Sequence, residues 1–198
     1  TPLYSSAASD VYKRQALGAH LQVIPVDTLM VVAEDARSSL QGTLSAPMGV
    51  VMDARMGEVY GGAYEWQADK GQWQTTMPLQ VGPPAQVAHA LITQHAATNV
   101  LAGNGFEVYP DAFAQAFAES SATRGDATVS CVPAVPHALA LLRLAPALWA
   151  AGKAVEPEEV QPLYIRDKVA QTTAERNAIK AAKENKEAKA NSPLPDAT

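Results

Sequence analysis

The chain has 198 residues, of which 47% are hydrophobic and 18% charged, with 12 Gly, 14 Pro and a single Cys. Such a length can hide roughly 70% of the surface that the unfolded chain exposes, and this composition excludes collagen, coiled-coil and disulfide-scaffold classes. The formal net charge of −5 argues against a protein that coats nucleic acid by counterion release, and no run of about 20 apolar residues marks a membrane span. Cys131, the lone cysteine, has no internal disulfide partner, which points to a reducing, cytoplasmic setting.

Residues 1–15 are polar and unpatterned, lack the basic-then-apolar order of a secretory signal, and read as a cloning or assembly scar. Position 16 reads as the end of a helix. The pattern then gives a short strand at 23–25, an Asp27/Thr28 N-cap and an apolar helix to about residue 39. A buried strand at 48–54, a turn at Arg-Met-Gly and a second strand at 58–66 make a hairpin, followed by the turn residues Asp69, Lys70 and Gly71. An amphipathic helix starts at the prolines of 83–84 and carries Val87, Leu91 and Ile92 on its apolar side.

A strand at 99–102 then runs into a Gly-Asn-Gly turn and a helix from about 110 to 117. The stretch Thr-Val-Ser-Cys-Val is a further strand, and a last apolar helix contains Pro146 and stops at Gly152. Strands alternating with helices predict an α/β fold with a mixed sheet. Residues 16–173 form the domain. The segment 174–198 is a flexible charged tail whose stretch 174–190 holds five Lys or Arg against three Glu.

Candidate chemistry is sparse. The four histidines His20, His89, His95 and His137 lack metal-ligand spacing and read as surface or core residues. Cys131 sits in an apolar strand, where a buried thiol is inert packing. Asn104 and Gly105, in Ala-Gly-Asn-Gly-Phe, can let backbone N–H groups approach a phosphate, or can simply form a tight turn that needs positive φ. Asp53, Arg55 and Glu58 crowd a strand-turn-strand, with Asp53 and Arg55 on one side by two-residue alternation. They make either a ligand or partner contact or a hairpin ion pair worth under about 1 kcal/mol. Tyr164, Arg166 and Lys168 share one face of an extended segment, which can touch RNA phosphate or a protein, or close a sheet edge.

Taken together, Ala-Leu-Gly-Ala-His-Leu-Gln-Val-Ile-Pro, Met-Asp-Ala-Arg-Met-Gly-Glu-Val-Tyr, Ala-Gly-Asn-Gly-Phe-Glu-Val-Tyr-Pro, Pro-His-Ala-Leu-Ala-Leu-Leu-Arg and the closing Pro-Leu-Tyr-Ile-Arg resemble the TsaB (YeaZ) family over residues 16–176. The resemblance implies an actin-like, two-lobed α/β fold of which this chain is the second lobe, with most of the first missing. It implies a non-catalytic dimerisation subunit, without a cofactor, in the machinery that forms threonylcarbamoyladenosine in tRNA. The implied partners are the catalytic subunit TsaD, met through the missing lobe, the small ATPase TsaE, and tRNA through the complex. The alternative is an enzyme: an actin-like nucleotide-binding hydrolase with Asp53, Arg55, Asn104 and Gly105 around the nucleotide, or a peptidase-like protein. The missing lobe also implies an uncovered sheet edge and exposed apolar surface.

Overall fold

The computed structural model describes residues 7–40, 44, 46–94, 99–124, 129–163 and 165–166. The chain divides into a unit of residues 1–165 and a unit of residues 166–198, of which only Arg166 is described. The tail, Tyr164, Lys168 and His95 lie outside the described residues.

Helix α1 (Ala7–Ala19) crosses the junction between residues 15 and 16 without a break, and Ala16 is its one buried side chain among those described. The strand expected at 23–25 is absent. Val23 makes only an isolated bridge to Val155, because the turn at His20 (φ 54°) and Pro25 leave too few residues to build a ladder. Helix α2 (Thr28–Ser39) starts where the sequence places it, with Asp27 Oδ1 accepting from the Leu29 N–H at 2.9 Å.

Strands β1 (Met48–Arg55) and β2 (Glu58–Gln67) form the expected hairpin. The sequence reading missed strand β3 (Gln72–Gly82), which extends the hairpin into an antiparallel meander. Its five apolar residues are interspersed with three Gln and two Thr and include a Pro, so no clean strand pattern announces it. Helix α3 (Pro84–His89) continues as a π turn through Gln94. Strand β4 (Val100–Gly103) then lies parallel to β1. A single turn α4 (Gly105–Val108) leads to α5 (Pro110–Arg124), β5 (Ser130–Pro133) and α6 (Ala138–Ala150), which contains Pro146. The sheet order is β3-β2-β1-β4-β5. It is mixed, with an antiparallel half and a parallel half meeting at β1.

Strand alternation divides the core into two layers. Met48, Val50, Tyr64 and Ala102 pack with Val32, Ala33 and Ala36 of α2 and with Leu144 of α6. Val51, Ala63 and Leu101 face the opposite way, onto Val87, Leu91 and Ile92 and onto Phe113 of α5. The first layer holds a buried carboxylate: Glu34, 1% exposed. Arg37 Nε and Nη2 donate to its two oxygens at 2.8 Å, and the Trp73 indole N–H donates at 3.1 Å. The guanidinium also lies 4.0 Å from the centre of the Trp66 ring. Left alone, a buried charge costs several kcal/mol; paired in this fork, it is compensated.

Apolar surface does remain exposed. On α6, Leu139, Leu142 and Trp149 are each more than half exposed, and β3 and β5 are the two sheet edges. Cys131 is a correction to the reading above. It is exposed, on edge strand β5.

The Tyr64 hydroxyl, fully buried, donates to Asp27 Oδ2, and burial first, then this bond, pushes it well above the ordinary phenol value. A folded pKa raised above the unfolded value of about 10 stabilises the fold below pH 10, and that contribution is lost as pH climbs further. Stability measured by urea unfolding is therefore expected to fall above pH 10 with about 1.4 kcal/mol per pH unit due to Tyr64. Tyr64→Phe removes that component of the slope; an unchanged slope contradicts the assignment.

Candidate functional site

The polar residues singled out from the sequence meet at the C-terminal ends of β1 and β4. Strand β4 ends in Gly103 at φ +116°, and a Cβ there would lie 2.0 Å from the Val51 carbonyl oxygen. Only glycine allows this approach. A Cβ on Gly105 would likewise meet Val51 Cγ2 at 2.6 Å. The glycines are thus accounted for by the passage of the turn over β1. The Asn104 N–H donates to the Val51 carbonyl at 3.1 Å, and its side-chain Oδ1 accepts the Asp53 N–H at 2.9 Å.

Asp53 is the hub. Its Oδ1 accepts the Arg55 N–H at 2.9 Å and the Tyr109 hydroxyl at 3.1 Å, and its Oδ2 lies 3.4 Å from Arg55 Nη1. Asp53 and Arg55 do meet, but through a register shift between them rather than by simple alternation. The Asp53 side chain is 11% exposed and that of Arg55 88%, so the ion pair is largely solvated and contributes little to stability. Arg55 (φ 63°), Met56 (58°) and Gly57 (77°) are three consecutive left-handed residues, and Glu58 pairs opposite Arg55. The Met56-Gly57 loop has the φ signs of a type I′ turn, which prefers Asn-Gly. Each non-glycine residue held there costs about 1–2 kcal/mol.

Sequence reasoning missed Tyr109. Its hydroxyl is raised above the ordinary phenol value by desolvation first and by its bond to Asp53 next. The available signal was its place before Pro110, which biases the residue out of the helical region and aims it away from α5. Among the described candidates, His89, His137 and Cys131 do not join this site. His89 Nε2 is 4.0 Å from Glu119 and His137 Nδ1 is 3.7 Å from Asp35, both at the surface, and desolvation pushes the Cys131 thiol up. The arrangement can present a guanidinium and a methionine on a braced hairpin. Asp53 accepts two hydrogen bonds, from the Arg55 N–H and the Tyr109 hydroxyl, and lies beside the Arg55 guanidinium, so its carboxylate braces the tip.

An antiparallel three-strand meander joined to two parallel strands, with helices on both faces, is one lobe of an actin-like α/β protein. No protein-family model matches the chain. It is 33% identical over 157 residues to the tRNA threonylcarbamoyladenosine biosynthesis protein TsaB of Escherichia coli K12, and 29% identical over 160 residues to the protein of that name from Haemophilus influenzae. Each match takes in 78% of this chain but only 62% and 61% of the relative. The chain therefore spans less than two thirds of the length of these curated relatives. Among solved structures it is similar to YeaZ from Pseudomonas aeruginosa (TM-score 0.59, 30% identity, 79% of this chain and 66% of that one). It also resembles a P. aeruginosa protein described as similar to peptidase YeaZ (TM-score 0.60, 29% identity, 80% and 66%). The chain belongs to the TsaB (YeaZ) family.

Two substitutions check the geometry. Gly103→Ala is expected to destabilise by about 2–4 kcal/mol in urea unfolding, because the new Cβ must displace the β1 backbone; a change under about 0.5 kcal/mol contradicts the close approach. Asp53→Ala is expected to cost about 1–3 kcal/mol and to speed amide exchange at Arg55. The β1–β4 ladder should keep its protection, and uniform loss would mean that Asp53 supports the whole sheet.

Proposed function

We propose that this chain is the second lobe of a non-catalytic, scaffolding subunit of the assembly that forms threonylcarbamoyladenosine in tRNA, acting with a TsaD-like catalytic subunit and a TsaE-like ATPase. The relatives are named for that biosynthesis. The observation that carries the scaffold role is the state of Asp53. Its carboxylate is taken up by Arg55 and Tyr109, and the tip it braces offers side chains suited to contact. Contact with tRNA is indirect in this reading, in keeping with the net charge of −5, and the setting is cytoplasmic. Among the described residues no helix is long and apolar enough to cross a membrane.

A second reading rests on position. Asp53, Arg55, Asn104 and Gly105 converge at the carboxyl ends of the parallel strands β1 and β4, where open α/β sheets bind ligands. On that reading the protein is an actin-like nucleotide-binding hydrolase. The peptidase wording attaches to a P. aeruginosa relative, and no arrangement of residues at this site favours it.

Size-exclusion chromatography of the full-length protein with a TsaD-like subunit, paired with ATP calorimetry, separates the readings. Co-elution at micromolar concentration without ATP binding is expected. ATP binding that Asp53→Ala or Arg55→Ala abolishes transfers the assignment to the hydrolase, and failure to co-elute removes the scaffold role.

A further inference from the structure

At the other end of β2, a cleft of about 400 Å³ opens between the β2–β3 turn and the C-terminal half of α6. Its apolar wall is Met30, Leu144 and Leu148, and its rim carries Lys70 and Lys153. Although the chain carries a net charge of −5, no carboxylate among the described residues lines this cleft. The cleft's volume and apolar wall fall within the range of small-ligand sites.

Both lysines are placed by their surroundings. Lys70 Nζ donates to Gln67 Oε1 at 2.9 Å, and the Gln67 amide in turn donates to Gln74 Oε1. Lys153 follows the left-handed Gly152 (φ 67°) that ends α6, and its N–H donates back to the Leu148 carbonyl at 3.0 Å. Its side chain makes no ion pair among the described residues.

We infer that this cleft binds an amphipathic organic anion, a single carboxylate carried on an apolar body. Two point charges at the rim favour an anion, and the apolar wall takes the body. A doubly charged phosphate fits less well. The cleft meets the C-terminal end of α6, whose carbonyls carry partial negative charge, and it offers neither an arginine fork nor a helix N-terminus.

The probes are 4-phenylbutyrate and its neutral amide, and the capped peptide acetyl-Ala-Leu-Phe as free acid and as C-terminal amide, each titrated against the protein by amide NMR. In at least one pair the acid is expected to bind about five- to tenfold more tightly than its amide, with shifts centred on Gln72, Gln74 and Leu148. The double variant Lys70→Gln/Lys153→Gln is expected to remove that preference while leaving binding of the amide in place. Preference for the small acid alone identifies a free metabolite as the source; preference for the peptide acid alone identifies a protein C-terminus. Equal affinity of acid and amide, a preference that survives in the double variant, shifts centred elsewhere, or no binding up to about 10 mM each overturn the proposal.

Discussion

The close approach of Gly103 to Val51 sets the geometry of the hub end of the molecule. The Val51 carbonyl accepts the Asn104 N–H from a turn that could not come so near if residue 103 had a side chain. Once the turn is seated, the Asn104 amide falls opposite the Asp53 N–H. The Asp53 side chain is then directed at the hairpin tip and at Tyr109. Two segments distant in sequence, β1 with its hairpin and the stretch from the β4–α4 turn to the start of α5, are brought together by this backbone contact and then joined by the Asn104 and Asp53 side chains.

The polar groups on the two sides of the sheet play different parts. On the α2 side, Glu34 and Asp27 are caught by Arg37, Trp73 and Tyr64 within the core layer. There a missing partner would leave an expensive buried charge, so these pairs fix how α2 sits on the strands. At the hub, Arg55 is almost wholly in water and returns little stability. Yet the same hairpin keeps two non-glycine residues left-handed, at a cost that its solvated ion pair does not offset. An Asn-Gly loop would make the same turn with less strain. The positive φ at Met56 and Gly57 is what a two-residue turn between right-twisted strands requires, and Arg55 adds one further left-handed residue to it.

Much of this was legible in the sequence because local rules and tertiary packing agree. Asp27 caps α2, the Arg-Met-Gly turn closes the hairpin, and the spacing of Val87, Leu91 and Ile92 gives the face that α3 and the π turn after it bury. Failures came where tertiary context decides. The apolar Val23–Pro25 stretch looks like a strand, but it finds only Val155 as a partner. Strand β3 lacks an apolar run because it is an edge strand with one half-exposed face, so it resembles a polar loop. Cys131 sits among apolar neighbours in sequence, yet its strand is also an edge. The proximity of Asp53 to Arg55 was readable, and so was the Gly-Asn-Gly turn. That the two belong to one site was not, because the link runs from Asn104 to Asp53 across 51 positions, and Tyr109 joins from 56 away.

The hub and the lysine-rimmed cleft lie at opposite ends of the same strand. Strand β2 begins at Glu58, beside the tip, and ends at Gln67, beside the cleft. Ten residues of extended chain span roughly 30 Å, well beyond the range at which solvated charges feel one another in physiological salt. Neither site shares a hydrogen bond with the other, so substitutions at the two should add independently. What joins them is the ladder of β2 with β1 and β3. A molecule in the cleft would therefore act on the hub only by shifting the whole meander. The two surfaces are thus linked through the strand ladder, while a substitution at one leaves the local contacts of the other in place.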